Sequence, residues 1–167
     1  MNKIIFLLSL LLSFSCLAQS PEEKAPLPDI FAHLENELKI SHFPSPVFAS
    51  IDPDEPDTYI WKHNTCLISF TKDIKVLEGG AYIFYNDQWN LRVRMEANEF
   101  CKLFDIKKCE LKAGQPYTFA DNWRRDQKLY GGWAMWYAIG VDKDGKKVFG
   151  VGKLDTVGEL YLNKESQ

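Results

Sequence analysis

Histidine is scarce in this chain, with three residues in 167, at His33, His42 and His63. A hydrolase that activates a serine or cysteine needs a base organised beside the nucleophile, and three scattered imidazoles give little material for one. No G-x-S-x-G elbow, H-E-x-x-H pair or phosphate-binding loop occurs. Gly150-Val151-Gly152 has no helix-forming segment behind it, so it is not a nucleotide fingerprint. Cysteines at the C-x-x-C spacing are missing, and no metal or cofactor is expected. His63 and Cys66 lie three apart in a strand-like run, which puts them on opposite faces rather than together. A basic stripe is also lacking: 20 Lys and Arg stand against 23 Asp and Glu, a net charge of −3, which excludes the electrostatic footprint of a nucleic-acid binder.

The longest apolar run is at the start. Lys3 precedes an apolar core from Ile4 to Leu12, and Ser13 to Ala18 is small and weakly polar. This is the layout of a signal peptide over residues 1–18, with cleavage after Ala18. The run is too short to cross about 30 Å of hydrocarbon with margin, so no transmembrane span is expected after processing. An alternative is lipidation at Cys16, because Ser13-Phe14-Ser15-Cys16 resembles a loose bacterial lipoprotein box. Ser13 departs from the aliphatic residue preferred there. The expected location is periplasmic or secreted, with a membrane-tethered lipoprotein as the alternative. Residues 19–28 carry prolines at 21, 26 and 28 and read as a flexible leader. Residues 29–167 are long enough for one domain with a full core.

Asp29 suits a helix cap, and Ile30, Leu34 and Leu38 recur every four residues, which predicts a short N-terminal amphipathic helix. A proline-rich loop follows, with Asp52, Asp54, Glu55 and Asp57; it lacks the glycine and final glutamate of a calcium loop and reads as a solvated linker. From residue 58 onward the pattern is strand and turn. Thr58–Thr71, Ile74–Leu77 and Ala81–Tyr85 are strand candidates, with a turn at Asn86–Asp87. Leu91, Val93, Met95 and Ala97 then alternate with Arg92, Arg94, Glu96 and Asn98, giving one dry and one wet face. Phe100–Leu111 predicts a tight hairpin stapled by a Cys101–Cys109 disulfide, leaving Cys66 as a free thiol. Tyr117 and Phe119 begin a further strand, and Asn122–Gly132 reads as a connecting loop. Trp133–Leu154 is a long hairpin with a type I′ turn at Asp144–Gly145, so that Val141 would face Val148 and Ile139 would face Gly150. Gly158–Asn163 supplies the last strand.

Helices between strands are absent, which excludes a doubly wound fold. The expected class is mainly β: an antiparallel β-sandwich or open barrel-like sheet with one short N-terminal helix. Aromatic residues make up 14% of the chain, and core packing accounts for several of them. Trp89 stands beside Asp87, Gln88 and Asn90, and Trp123 is followed by Arg124 and Arg125. Rigid aromatics next to arginine are the composition of a recognition surface. The candidate binding residues are therefore Trp89, Arg92, Arg94, Trp123, Arg124 and Arg125. Together these point to an exported, non-enzymatic protein that binds or inhibits another protein through a loop surface. A glycan-binding module using exposed tryptophans is the alternative within binding proteins. A glycosidase-like enzyme drawing a carboxylate pair from Glu96, Glu99, Glu110, Asp121 and Asp126, and a structural envelope protein, are the alternatives outside it.

Overall fold

The computed structural model describes residues 25–161; the signal peptide, its cleavage point, Cys16 and most of the leader lie outside them. The described residues build ten strands: β1 (Glu35–Asn36), β2 (Leu38–Phe43), β3 (Val47–Ile51), β4 (Tyr59–Ser69), β5 (Ile74–Tyr85), β6 (Gln88–Glu96), β7 (Glu110–Leu111), β8 (Pro116–Asp126), β9 (Gly132–Val141) and β10 (Lys147–Leu160). One short α-helix, α1 (Ala97–Leu103), and two 3-10 turns, Asp29–Phe31 and Lys107–Cys109, complete the described residues. The strands form one open, half-barrel sheet in the order β2-β4-β3-β10-β9-β5-β6, with β8 on β4, β1 on β10 and β7 on β5. The mainly-β, open barrel-like class expected from alternation is the class observed.

The helix is elsewhere than expected. Asp29–Phe31 makes a single 3-10 turn, His33 enters the left-handed region at φ 66°, and Leu38–Phe43 is a strand. The four-residue spacing of Ile30, Leu34 and Leu38 competes with a two-residue alternation of Leu38, Ile40 and His42, and the unpaired flank of β4 decides for the second. Phe31 is left as a wedge on the outer face of the sheet, stacked on Phe149 at 5.0 Å and edge-on to Tyr137 and Tyr82 at 5.5 and 6.1 Å.

The expected hairpin over Phe100–Leu111 is instead α1, a 3-10 turn and the short β7. Phe100, Leu103 and Phe104 lie three and four apart, the helical spacing, and Phe100 and Phe104 drive into the core at 2% exposure or less. The disulfide joins Cys101 on the helix to Cys109 on the turn, as expected, with Cα atoms 5.5 Å apart. Cys66 is free and half-buried. The helix seats on β5 at Gly79, where any Cβ would collide with the Phe100 ring.

Asn86 and Asp87, at φ 51° and 57°, make the two-residue turn between β5 and β6. The β9–β10 hairpin stands, but its register is one residue off the expected one: Gly140 faces Val148, Ile139 faces Phe149 and Ala138 faces Gly150. The cause is Asp142, whose carboxylate accepts the N–H groups of Asp144 and Lys146 at 3.0 Å and so widens the turn to five residues. Gly150 and Gly152 therefore do not seat side chains of β9. They face strand β2, whose Leu38 and Ile40 carbonyl oxygens would lie 2.4 and 2.5 Å from an added Cβ. Two backbones cross there at a distance only glycine permits.

Candidate functional site

β8 is the strand that organises the exposed chemistry. The segment Asn122–Gly132 is not a loop throughout: Asn122–Asp126 continues β8 and pairs with β4, from His63 opposite Asn122 to Tyr59 opposite Asp126. An extra residue in β8 at Asp121, with φ 53°, makes a bulge between His63 and Thr65. Its other edge pairs with no strand among the described residues. Because alternate residues point to opposite faces, the Trp-Arg-Arg run divides. Trp123 and Arg125 point outward, whereas Arg124 points into the half-barrel.

Outward, Trp123 is 53% exposed and the Arg125 guanidinium lies over its ring at 4.8 Å. Arg125 is held from the other side by the loop after β3. Its Nε is 2.5 Å from Asp52 Oδ2, and Asp54 and Glu55 follow at 3.6 and 4.0 Å. Asp52 is fully buried and its second oxygen accepts the Asp54 N–H at 3.0 Å. The carboxylates that sequence assigns to a solvated linker thus lock the arginine that rests on Trp123. Inward, Arg124 sits between the rings of Trp61 and Tyr130, at 5.0 and 4.3 Å, and donates to Thr156 Oγ1 at 3.1 Å. It is a half-buried cation packed between two rings.

The remaining candidates separate from this surface. Trp89 is only 9% exposed, edge-on to Phe84 at 5.2 Å, with the Lys153 ammonium 5.6 Å from its ring. The turn that exposes its neighbours Asp87 and Gln88 aims its own side chain at the outer-face aromatic cluster. Arg94 pairs with Glu78, whose other oxygen accepts the Tyr137 hydroxyl at 3.2 Å; burial and then the Glu78 charge raise the Tyr137 phenol above its ordinary value. Arg92 is exposed at a bulge of β6 and has no ion-pair partner among the described residues. The five carboxylates considered for catalysis are spread over β6, α1, β7 and β8. Asp126 is held below the ordinary carboxyl value, first by the Tyr130 hydroxyl donating at 2.7 Å, which is the wrong direction for a general acid.

Sequence reasoning passed over a buried polar group behind this strand. His42 Nε2 donates to the Gly152 carbonyl at 3.1 Å, and His42 Nδ1 lies 3.0 Å from Thr65 Oγ1, which also receives Asn122 Nδ2 at 2.8 Å. The His63 ring is edge-on to His42 at 5.4 Å, only 5% exposed, and neither of its nitrogens makes a hydrogen bond of normal geometry. Burial, then the neighbouring His42, push His63 down to about 4, with a lesser backbone contact at Trp61 pulling the other way. Burial also lowers His42, against the Gly152 carbonyl. Nothing in the sequence relates His42 to His63; only the pairing of β2 with β4 brings them together.

No protein-family model matches the chain and no curated protein matches it. The fold is similar to the X-ray structure of Northeast Structural Genomics Consortium target SoR45, with a TM-score of 0.51 at 13% identity, over 80% of this chain and 98% of that one. At that identity the likeness is one of fold. The N-terminal domain of PorA aligns at 11% identity over 75% of this chain and 92% of that one, with a TM-score of 0.31, which carries no argument. Among the described residues no helix is long and apolar enough to cross a membrane, and no three metal-ligating side chains gather.

Proposed function

We propose that this is an exported, non-enzymatic protein that binds another protein through the outer face and free edge of β8, centred on Trp123 and Arg125. The observation that carries this reading is the half-exposed Trp123 ring on an edge strand, with Arg125 stacked on it and fixed by Asp52. Interface hot spots are rich in tryptophan and arginine, and a partner side chain meeting a pre-positioned pair loses less freedom on binding. An unpaired edge adds backbone donors and acceptors that an extended partner segment can satisfy. An inhibitor or immunity-type role suits such a preformed surface. The glycan alternative rested on two exposed tryptophans; with Trp89 buried, one platform is left to it.

The test is capture of partners by the chain from residue 19 onward, from the envelope and secreted fractions of the cells that make it. Trp123→Ala and Arg125→Ala should lose what the unaltered protein retains, and equal retention would remove this surface from the account. Intact mass of the protein recovered from those cells separates cleavage after Ala18 from lipidation at Cys16.

A further inference from the structure

We propose that His42 and His63 form an acid-operated latch that holds β2, β4 and β8 together while both rings are neutral, and whose protonation opens that part of the sheet while β5, β6, β9 and β10 stay closed. This inference is independent of what the β8 surface binds.

The geometry sets what each ring can accept. With Nε2–H given to the Gly152 carbonyl, His42 presents a lone pair at Nδ1 to the Thr65 hydroxyl, whose oxygen is already engaged by the Asn122 amide. A proton on Nδ1 turns that acceptor into a donor. Thr65 Oγ1 then faces two donors, and its own hydrogen loses its acceptor. His63 is worse placed, since a charged ring brings two N–H donors into a position where neither nitrogen has a partner. The two rings also repel once both are charged.

The surroundings offer no compensating charge. From β2 the titratable group facing His63 is His42 itself, and the other inward residues of that strand, Leu38 and Ile40, are apolar. From β8 Asn122 lies opposite His63 in register, and the next inward residue is Arg124, a fixed positive charge. Asp126, two further along, is taken by the Tyr130 hydroxyl. From β10 the contact is the Gly152 carbonyl, and α1 and the residue that caps it face this interior with Phe100 and Phe104. No carboxylate contributes to the shift of either histidine.

The opening is local because of where the latch sits. β8 is hydrogen-bonded to β4 alone, along one edge, while β2 and β3 share the opposite edge of β4. Besides the core it shares with Leu38, Ile40 and Leu67, the far half of the sheet has a cluster of its own, Phe31, Tyr82, Met135, Tyr137 and Phe149, which contains no histidine.

The experiment is backbone amide exchange followed by NMR at pH 7.5 and pH 5.0, normalised to intrinsic rates, on the unaltered protein and on His63→Leu. For a group moved from 6.5 to about 4, the opening constant of residues 38–43, 59–69 and 116–126 should rise about 30-fold at pH 5.0. Residues 132–160 open only with the whole sheet, which also frees His63, so their opening constant should rise by a similar factor while staying at least about tenfold below that of the three strands at pH 5.0. His63→Leu should abolish most of the rise. An opening constant equal across the whole sheet at pH 5.0, no rise in the three strands, or a full rise persisting in His63→Leu would each overturn the latch. If His63→Leu does not fold, His63→Gln, uncharged and close in size, is read by the same criterion.

Discussion

Replacing Gly150 by alanine tests the crossing of β2 over β10, on which the position of the whole β2–β4–β8 half depends. The added methyl would lie 2.4 Å from the Leu38 carbonyl oxygen and 2.5 Å from Leu38 Cβ, well inside the separation at which dispersion is favourable. The obstacle is backbone, so no side-chain rotation relieves it, and the penalty should fall toward the top of the range of about 1–3 kcal/mol for overpacking. Gly150 is not in the left-handed region, so alanine brings no φ strain, and the stiffer unfolded chain returns about 0.4–1 kcal/mol. The net expectation is a loss of about 2 kcal/mol, or about 4–8 °C in Tm for a domain of this size, read by urea and thermal unfolding followed through tryptophan fluorescence. Leu38→Ala keeps both the carbonyl and Cβ, so it should not rescue the variant. Gly79→Ala differs, because its obstacle is the Phe100 ring at 2.2 Å; paired with Phe100→Ala it should cost at least about 1 kcal/mol less than the two changes summed. A Gly150→Ala protein within about 0.5 kcal/mol of the original, or one restored by Leu38→Ala, would refute the crossing.

Reducing the Cys101–Cys109 disulfide, which closes a short loop, should cost about 2.5 kcal/mol on the chain-entropy model, measured as the shift in urea midpoint with and without reductant. Arg124→Ala should destabilise by about 1–2 kcal/mol, since it removes a cation packed between two rings, whereas Trp123→Ala, on the exposed face of the same strand, should stay within about 0.5 kcal/mol of the original. His63 has a folded value of about 4 against 6.5 unfolded, so the unfolded chain binds the proton first as pH falls. Its contribution is complete above pH 6.5 and is lost toward pH 4, by up to about 3 kcal/mol; stability that is flat between pH 7 and pH 5, by denaturant unfolding, would contradict the buried, neutral imidazole.

Alternation made the mainly-β class legible, because Leu91–Ala97 and Trp133–Leu154 reveal their faces without any tertiary information. The disulfide was legible from spacing, and the Asn86–Asp87 turn from residue type. What was not legible depended on partners distant in sequence. Residues 30–41 carry both a helical and a strand period, and only the pairing of β2 with β4 selects between them. Trp89 reads as exposed because its neighbours are polar, yet one-residue alternation turns it inward. The split of Trp123 and Arg125 from Arg124 follows from strand geometry that a loop assignment hides. Phe100, Leu103 and Phe104 did carry a helical signal, at spacings of three and four residues, masked by the expectation of a hairpin between the two cysteines. The carboxylates of residues 52–57 gave no sign from sequence that one would be buried under Arg125.

The most direct test of the β8 surface is paired capture with the unaltered protein and Trp123→Ala, each first confirmed to unfold at the same urea concentration. Trp123 is half-exposed and supports no core contact that would confuse the comparison. The surface predicts a protein retained by the first and lost by the second, with an affinity at least about tenfold weaker, corresponding to about 1.4 kcal/mol. Retention of the same partner at equal affinity by both proteins would contradict it.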